Sequence, residues 1–226
     1  MFEYNPASDF RSVAKSTFSY AGCRIVARWS PPASTRRYRG LDRIALGSSY
    51  VEGDGHRPSW LDAFSDDFSE LEDIFELIPN SVSAERLYDK LSEYDAAWEL
   101  IACSVCNQVL QELASNPSKF LGYVEGEPER TALMEIYERL AAHPAAPDWP
   151  ILGYDVATFG SFNSAVLLEL SGPDPVAPAL NEHRAQLNES QLFSTPGAAL
   201  AFLQTYLLLP HHEEGEFFVY EIRGKP

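Results

Sequence analysis

The chain is short of basic charge and of catalytic signatures, and both shortages narrow what it can do. Its 226 residues hold 17 Lys+Arg against 33 Asp+Glu, a formal net charge of -16. Such a surface repels nucleic acid and anionic lipid, so the expected partners include no nucleic acid and no membrane. HExxH, P-loop, GxGxxG and GxSxG patterns are all missing, which leaves no motif for metal, phosphate, dinucleotide or acyl-transfer chemistry. No catalytic, cofactor-binding or metal-ligating residue is assigned on this basis. Three cysteines, an odd number, do not suggest a disulfide framework. The start, Met1-Phe2-Glu3-Tyr4, lacks the basic and apolar regions of a signal peptide. The longest apolar stretch, 198–209, is broken by Gln204 and Thr205 and is too short to span a bilayer. A soluble, cytoplasmic protein is expected. With 45% hydrophobic and 12% aromatic residues the chain is too apolar for disorder and long enough to build a core.

What the chain does have is acid, unevenly placed. The first 57 residues hold nine bases and five acids, whereas the remaining 169 hold eight and 28. Residues 61–76 contain seven carboxylates and no Lys, Arg or His. Leu61, Phe64, Phe68, Leu71 and Phe75 recur at steps of three and four, one face of a helix, and Pro79 would terminate it. Asp62, Asp66, Asp67, Glu70, Glu72, Asp73 and Glu76 fall mostly elsewhere around that helix, with no i,i+4 base to offset their repulsion. These seven, together with Trp60, are the expected partner-binding residues.

Elsewhere the pattern alternates between strand and helix. Residues 17–52 read as a hairpin, with Cys23 to Ala27 alternating ahead of Trp29 and a second run at 44–51. A long helix is expected from caps at Ser81-Val82-Ser83 to about Ser115, carrying Leu87, Leu91, Tyr94, Trp98, Ile101, Val105, Val109 and Leu113 inward. Inside it sits Cys103-Ser104-Val105-Cys106, a lone CxxC that reads as buried structural thiols. Further helices are expected at 128–142, in a short polar stretch up to Leu192, and at 196–209, the first and last with Pro near the first turn. Strands are expected at 151–156, 165–170 and 217–222. No internal repeat is visible. The sum is an α+β fold, a mostly antiparallel sheet packed by several helices with a helix-rich middle. A single domain covers 1–226, and any internal boundary falls near 143–150, at His143-Pro144-Ala145-Ala146-Pro147.

The remaining candidates are weaker. His211-His212-Glu213-Glu214 resembles a metal patch only in composition, since adjacent residues do not converge on one ion. Glu182-His183 lies on an expected exposed helix. Asp155, beside Tyr154 at a strand end, is the best single carboxylate for an enzymatic or ligand pocket. The basic cluster Arg36, Arg37 and Arg39 suits an intramolecular role against the acidic surface better than a nucleic-acid platform.

Three stretches of the C-terminal third carry a resemblance: Leu152-Gly153-Tyr154-Asp155-Val156-Ala157, Leu187-Asn188-Glu189 through Leu192-Phe193, and Pro210-His211-His212-Glu213 through Phe217-Phe218-Val219-Tyr220. Together they resemble bacterial polymorphic-toxin immunity proteins. The chain departs from that pattern at Thr158-Phe159, where an Asp-Gly turn is typical, and at His212, which precedes the Glu pair. The resemblance implies a cytoplasmic neutraliser of one cognate toxin, with no cofactor and no reaction. A basic toxin or effector would meet the acidic segment, with Trp60, Phe64 or Tyr50 as aromatic anchors. Two alternatives stand beside it: an enzyme or small-ligand protein with a pocket near Tyr154 and Asp155, and a DNA-mimic regulator that uses the same acidic surface.

Overall fold

A computed structural model describes residues 18–27, 39–40, 64–73, 76–94, 98–107, 127–158, 162–171, 177–210, 212 and 217–226. They form an α+β fold around a four-stranded antiparallel sheet, β1 (Phe18–Ala27), β2 (Trp98–Cys106), β3 (Ile151–Thr158) and β4 (Phe217–Gly224), in the order β1-β2-β4-β3. The helices are α1 (Ser65–Leu71), α2 (Ser81–Ser92), α3 (Glu127–Ala141), α4 (Asn181–Arg184) and α5 (Pro196–Tyr206). Leu87 and Leu91 of α2 pack on Cys23, Leu100 and Ala102. Phe202 and Leu203 of α5 pack on Val156, Phe217 and Val219 of the same sheet face. Ile136 and Leu140 of α3 cover the opposite face with Leu77, Phe162 and Leu192.

Several sequence expectations give way. The helix expected from 81 to 115 ends at Ser92, and Trp98–Cys106 is a strand. The apolar spacing of Trp98, Ile101 and Val105 imitated a helix because every residue of β2 is buried, so its pattern is a continuous apolar run without alternation. Val109 and Leu113 lie outside the described residues, as does the second hairpin run at 44–51. The cap of α2 is Asn80, whose side-chain oxygen accepts from Val82 and Ser83 N–H, in place of Ser81 to Ser83. The strand expected at 165–170 is helical and ends in a π-helical turn, Leu167–Ser171. Ser164 starts it by accepting from the Leu167 amide at 3.1 Å. The acidic helix stops at Leu71, well before Pro79, and the polar helix ahead of Leu192 is reduced to a 3-10 turn, Pro178–Leu180, and α4. Residues 143–150 are tied to the sheet, for the Tyr20 amide donates to the Pro144 carbonyl and Trp149 is buried with the core under α2.

The repeat that the sequence hides is plain in the backbone. β1–α1–turn–α2–β2 and β3–α4–turn–α5–β4 are related by a pseudo-two-fold axis through the β2–β4 seam. There the pair Ala102↔Arg223 is matched by Ser104↔Glu221, and Cys103↔Ile222 lies on the axis. Both outer strands bulge at equivalent places, between Tyr20 and Gly22 and between Ile151 and Gly153. Each then receives a turn. In the first half, Asp73 N–H donates to Leu77 O (2.8 Å), Leu77 N–H to Asp73 Oδ1 (3.1 Å) and Glu76 N–H to Asp73 O (2.9 Å), with Glu76 at φ 56°. In the second, Asn188 N–H donates to Leu192 O (2.8 Å), Leu192 N–H to Asn188 Oδ1 (3.2 Å) and Gln191 N–H to Asn188 O (3.1 Å), with Gln191 at φ 57°. Ile78 then bridges Cys23, and Phe193 bridges Tyr154. The helices that follow present Ala84, Leu87 and Leu91 in one half and Ala199, Phe202 and Tyr206 in the other.

Glycine is required where each turn meets its strand. A Cβ on Gly22 (φ 155°) would lie 2.8 Å from Leu77 Cβ, and one on Gly153 (φ 150°) 2.7 Å from Leu192 Cβ and Phe193 O. Gly22→Ala and Gly153→Ala should each cost about 1–3 kcal/mol in urea unfolding. Gly197→Ala, which meets nothing within 4 Å in the first turn of α5, should gain about 0.5 kcal/mol.

Candidate partner-binding site

The acidic segment divides into an outward part on α1 and an inward part in the turn. Asp66 and Glu70 are exposed. Asp67 is half-buried and reaches Lys90 of α2 at 3.7 Å, a surface pair of little energetic weight. Phe64, expected as an anchor, is buried (7%) and packs edge-on at 5.5 Å against Tyr94. Tyr94 is 59% exposed and so stands in its place on the surface. Trp60, Asp62 and Tyr50 lie outside the described residues.

The rest of the segment is turned towards the protein. Asp73 receives Arg139 of α3 at 2.8 Å, and Glu76 receives Arg24 of β1 at 3.2 Å. The sequence shows no base within a helical turn of these acids because their partners come from other elements. Arg24 is nearly buried (6%) and is held on its other side by the Phe162 ring, 5.0 Å from the guanidinium. Both Glu76 and Phe162 have positive φ, 56° and 53°, so two residues in a sparsely populated conformation converge on one buried cation. Glu72 makes no ion pair among the described residues. Burial pushes its carboxyl up to about 7; Glu76 and Asp73 push the same way, and Arg24 opposes them.

The other candidates resolve into structural roles. Tyr154 and Asp155 are consecutive in β3 and therefore face opposite sides of the sheet, so they do not line one pocket. Asp155 is fully buried, and its Oδ1 accepts from Ser164 Oγ (2.7 Å) and the Val156 amide (2.8 Å), which anchors the helical turn behind it. Tyr154 donates to Glu221 at 3.4 Å, and Arg223 donates to the same carboxylate at 2.8 Å. Cys103 and Cys106 lie three residues apart along an extended strand, on opposite faces, a spacing that holds neither a disulfide nor a metal. Burial pushes the Cys23 and Cys103 thiols up to about 12, away from the reactive thiolate. Arg39 pairs with Glu99 of β2 at 3.6 Å, an intramolecular role; Arg36 and Arg37 lie outside the described residues. No group of three metal-ligating side chains occurs among the described residues, and no helix among them is long and apolar enough to cross a membrane.

His183, expected on an exposed helix, is buried (4%). Its Nε2 lies 3.0 Å from Thr205 Oγ1, whose own proton is given to Ala201 O, so Nε2 carries the hydrogen and Nδ1 has no partner among the described residues. Burial lowers its pKa from 6.5, Glu182 partly opposing.

The fold class is therefore an antiparallel α+β protein with an internal two-fold and an acid-rich first helix. No protein-family model matches the chain, and no curated protein and no solved structure is significantly similar to it.

Two outcomes follow from the buried groups. Arg24→Met should cost about 3 kcal/mol in urea unfolding, because it strands the Glu76 carboxylate against a partly buried surface. The unfolded chain takes up a proton at His183 near 6.5 while the folded chain resists it, so stability falls as pH drops below that value. His183→Gln, which keeps a donor for Thr205, should flatten that slope in urea midpoints measured against pH.

Proposed function

We propose that this protein is an immunity-type inhibitor that works in the cytoplasm, binding and neutralising a basic toxin or effector protein through the acidic surface of α1 and the adjoining end of α2. One observation carries this reading: the framework does not need the outward acid of α1. The helix ahead of the second turn, α4, holds one acid and two bases, whereas α1 has Asp66, Asp67 and Glu70 and no base. Charge so placed serves something outside the fold. Exposed Asp66 and Glu70, flanked by exposed Glu93 and Tyr94, combine long-range attraction for cations with an aromatic contact. Charge complementarity of this kind mainly raises the association rate and sets specificity. Neither a cofactor nor a bound nucleic acid enters the scheme.

Affinity capture of the tagged protein from lysate of its source, at low and high salt, tests the reading. One basic protein should co-elute in stoichiometric amount, and its association rate should fall steeply with ionic strength. Asp66→Lys with Glu70→Lys should slow that association about tenfold or more at low salt without altering the urea midpoint. Unchanged association in the double variant would overturn the acidic surface as the binding site. Capture of many unrelated DNA-binding proteins would favour the DNA-mimic alternative.

A further inference from the structure

The two turns match in hydrogen bonding and differ in charge. Asn188 and Gln191 show that amides build this turn as well as carboxylates, so its shape does not require charge. They face two guanidinium groups, Arg24 from β1 and Arg139 from α3. Among the described residues, three carboxylates against two cations leave one negative charge over. Asp73 and Glu76 hold the two bases, and Arg24 is fixed between Glu76 and the Phe162 ring, so the surplus falls on Glu72. The equivalent position in the second half is Leu187, an apolar and buried side chain, which fits a site that favours the uncharged form.

We propose that the acidic turn, residues 72–73 and 76–78, is a proton-linked clasp on β1, the outer strand of the described sheet: its docked state holds one more proton than its undocked state, at Glu72. The charges acting on Glu72 are Asp73 and Glu76 in the turn and Arg24 from β1; Arg139 of α3 acts through Asp73. Undocked, Glu72 titrates at its ordinary value of 4.5; docked, it does so at about 7. A group whose docked value is the higher one favours docking fully below its undocked value. Docking therefore weakens as pH rises from 4.5 to about 7 and is level above that. His183 acts in the opposite direction and in the other half of the molecule, so a residue-level readout separates the two.

Amide hydrogen exchange of the full chain supplies that readout. Cys23 and Ile78 exchange hydrogen bonds of 2.9 and 2.8 Å across the clasp, and Tyr154 and Phe193 make the equivalent pair in the second half. After correction for intrinsic rates, opening at Cys23 and Ile78 should rise about tenfold or more between about pH 5 and about pH 8, as a shift of more than one pKa unit requires. Opening at Tyr154 and Phe193 should not rise over that range. Glu72→Gln should abolish the rise, and Glu70→Gln, on the exposed face of α1, should retain it. A carboxyl titration of Glu72 by NMR in the wild-type chain should have its midpoint near 7 and does not depend on how any variant folds. A midpoint at the ordinary 4.5, a rise that persists in Glu72→Gln, or equal rises at both bridges would overturn the proposal.

Discussion

The pairing of β2 with β4 is the constraint from which the rest of the structure follows. It is the seam between two similar halves, and the pseudo-axis runs through Cys103 and Ile222. Both strands are covered on each side, as the unbroken burial of β2 and the near-unbroken burial of β4 show. Apolar strands of this kind need a helix layer on both faces. One layer is supplied symmetrically, by α2 and α5; the other is supplied by α3, which joins the halves and has no counterpart among the described residues. The outer strands, β1 and β3, are finished alike: a glycine-marked bulge lets a turn approach closely and bond to the strand edge, and this blunts the edge against pairing with another chain.

Charge has been distributed over this symmetric frame unequally. Equivalent positions of the outer strands, Arg24 and Asp155, are buried and carry side chains of opposite charge type. Asp155 is satisfied locally by a hydroxyl and an amide, which suit a carboxylate acceptor. Arg24 meets a carboxylate and an aromatic face, each delivered by a residue with positive φ. The first half thus binds its acidic turn to its own strand by charge, and the second does the same job by packing Leu187 and Phe193. The difference leaves the first half with outward carboxylates on α1 that its fold does not use.

Much of the architecture was legible in the residues. Proline at the first turn and threonine at the cap mark α5; alternation marks β1, and an aromatic and β-branched run marks β4. The acidic stretch was legible as a charge pattern, though not as two parts with different fates. β2 was misread because a strand buried on both faces loses its alternation, and the chance spacing of Trp98, Ile101 and Val105 then mimics a helix. The internal repeat was missed because its signal is one of shape: Asp73-x-x-Glu76-Leu77-Ile78 and Asn188-x-x-Gln191-Leu192-Phe193 share geometry and volume but not charge. A comparison that treated carboxylate and amide as isosteres would have aligned them.

The sequence by itself determined composition-level facts: a strongly acidic chain, a mixed α and β content, and the position of its surplus carboxylates along the backbone. Those depend on residue identity and on interactions within a few residues. Only the tertiary structure decided which carboxylates face outward, which lie against Arg24 and Arg139, and that Glu72 makes no ion pair among the described residues. Ion pairs between residues as distant as Asp73 and Arg139 have no local signature, because side chains from separate elements meet only after the sheet has brought their strands and helices together.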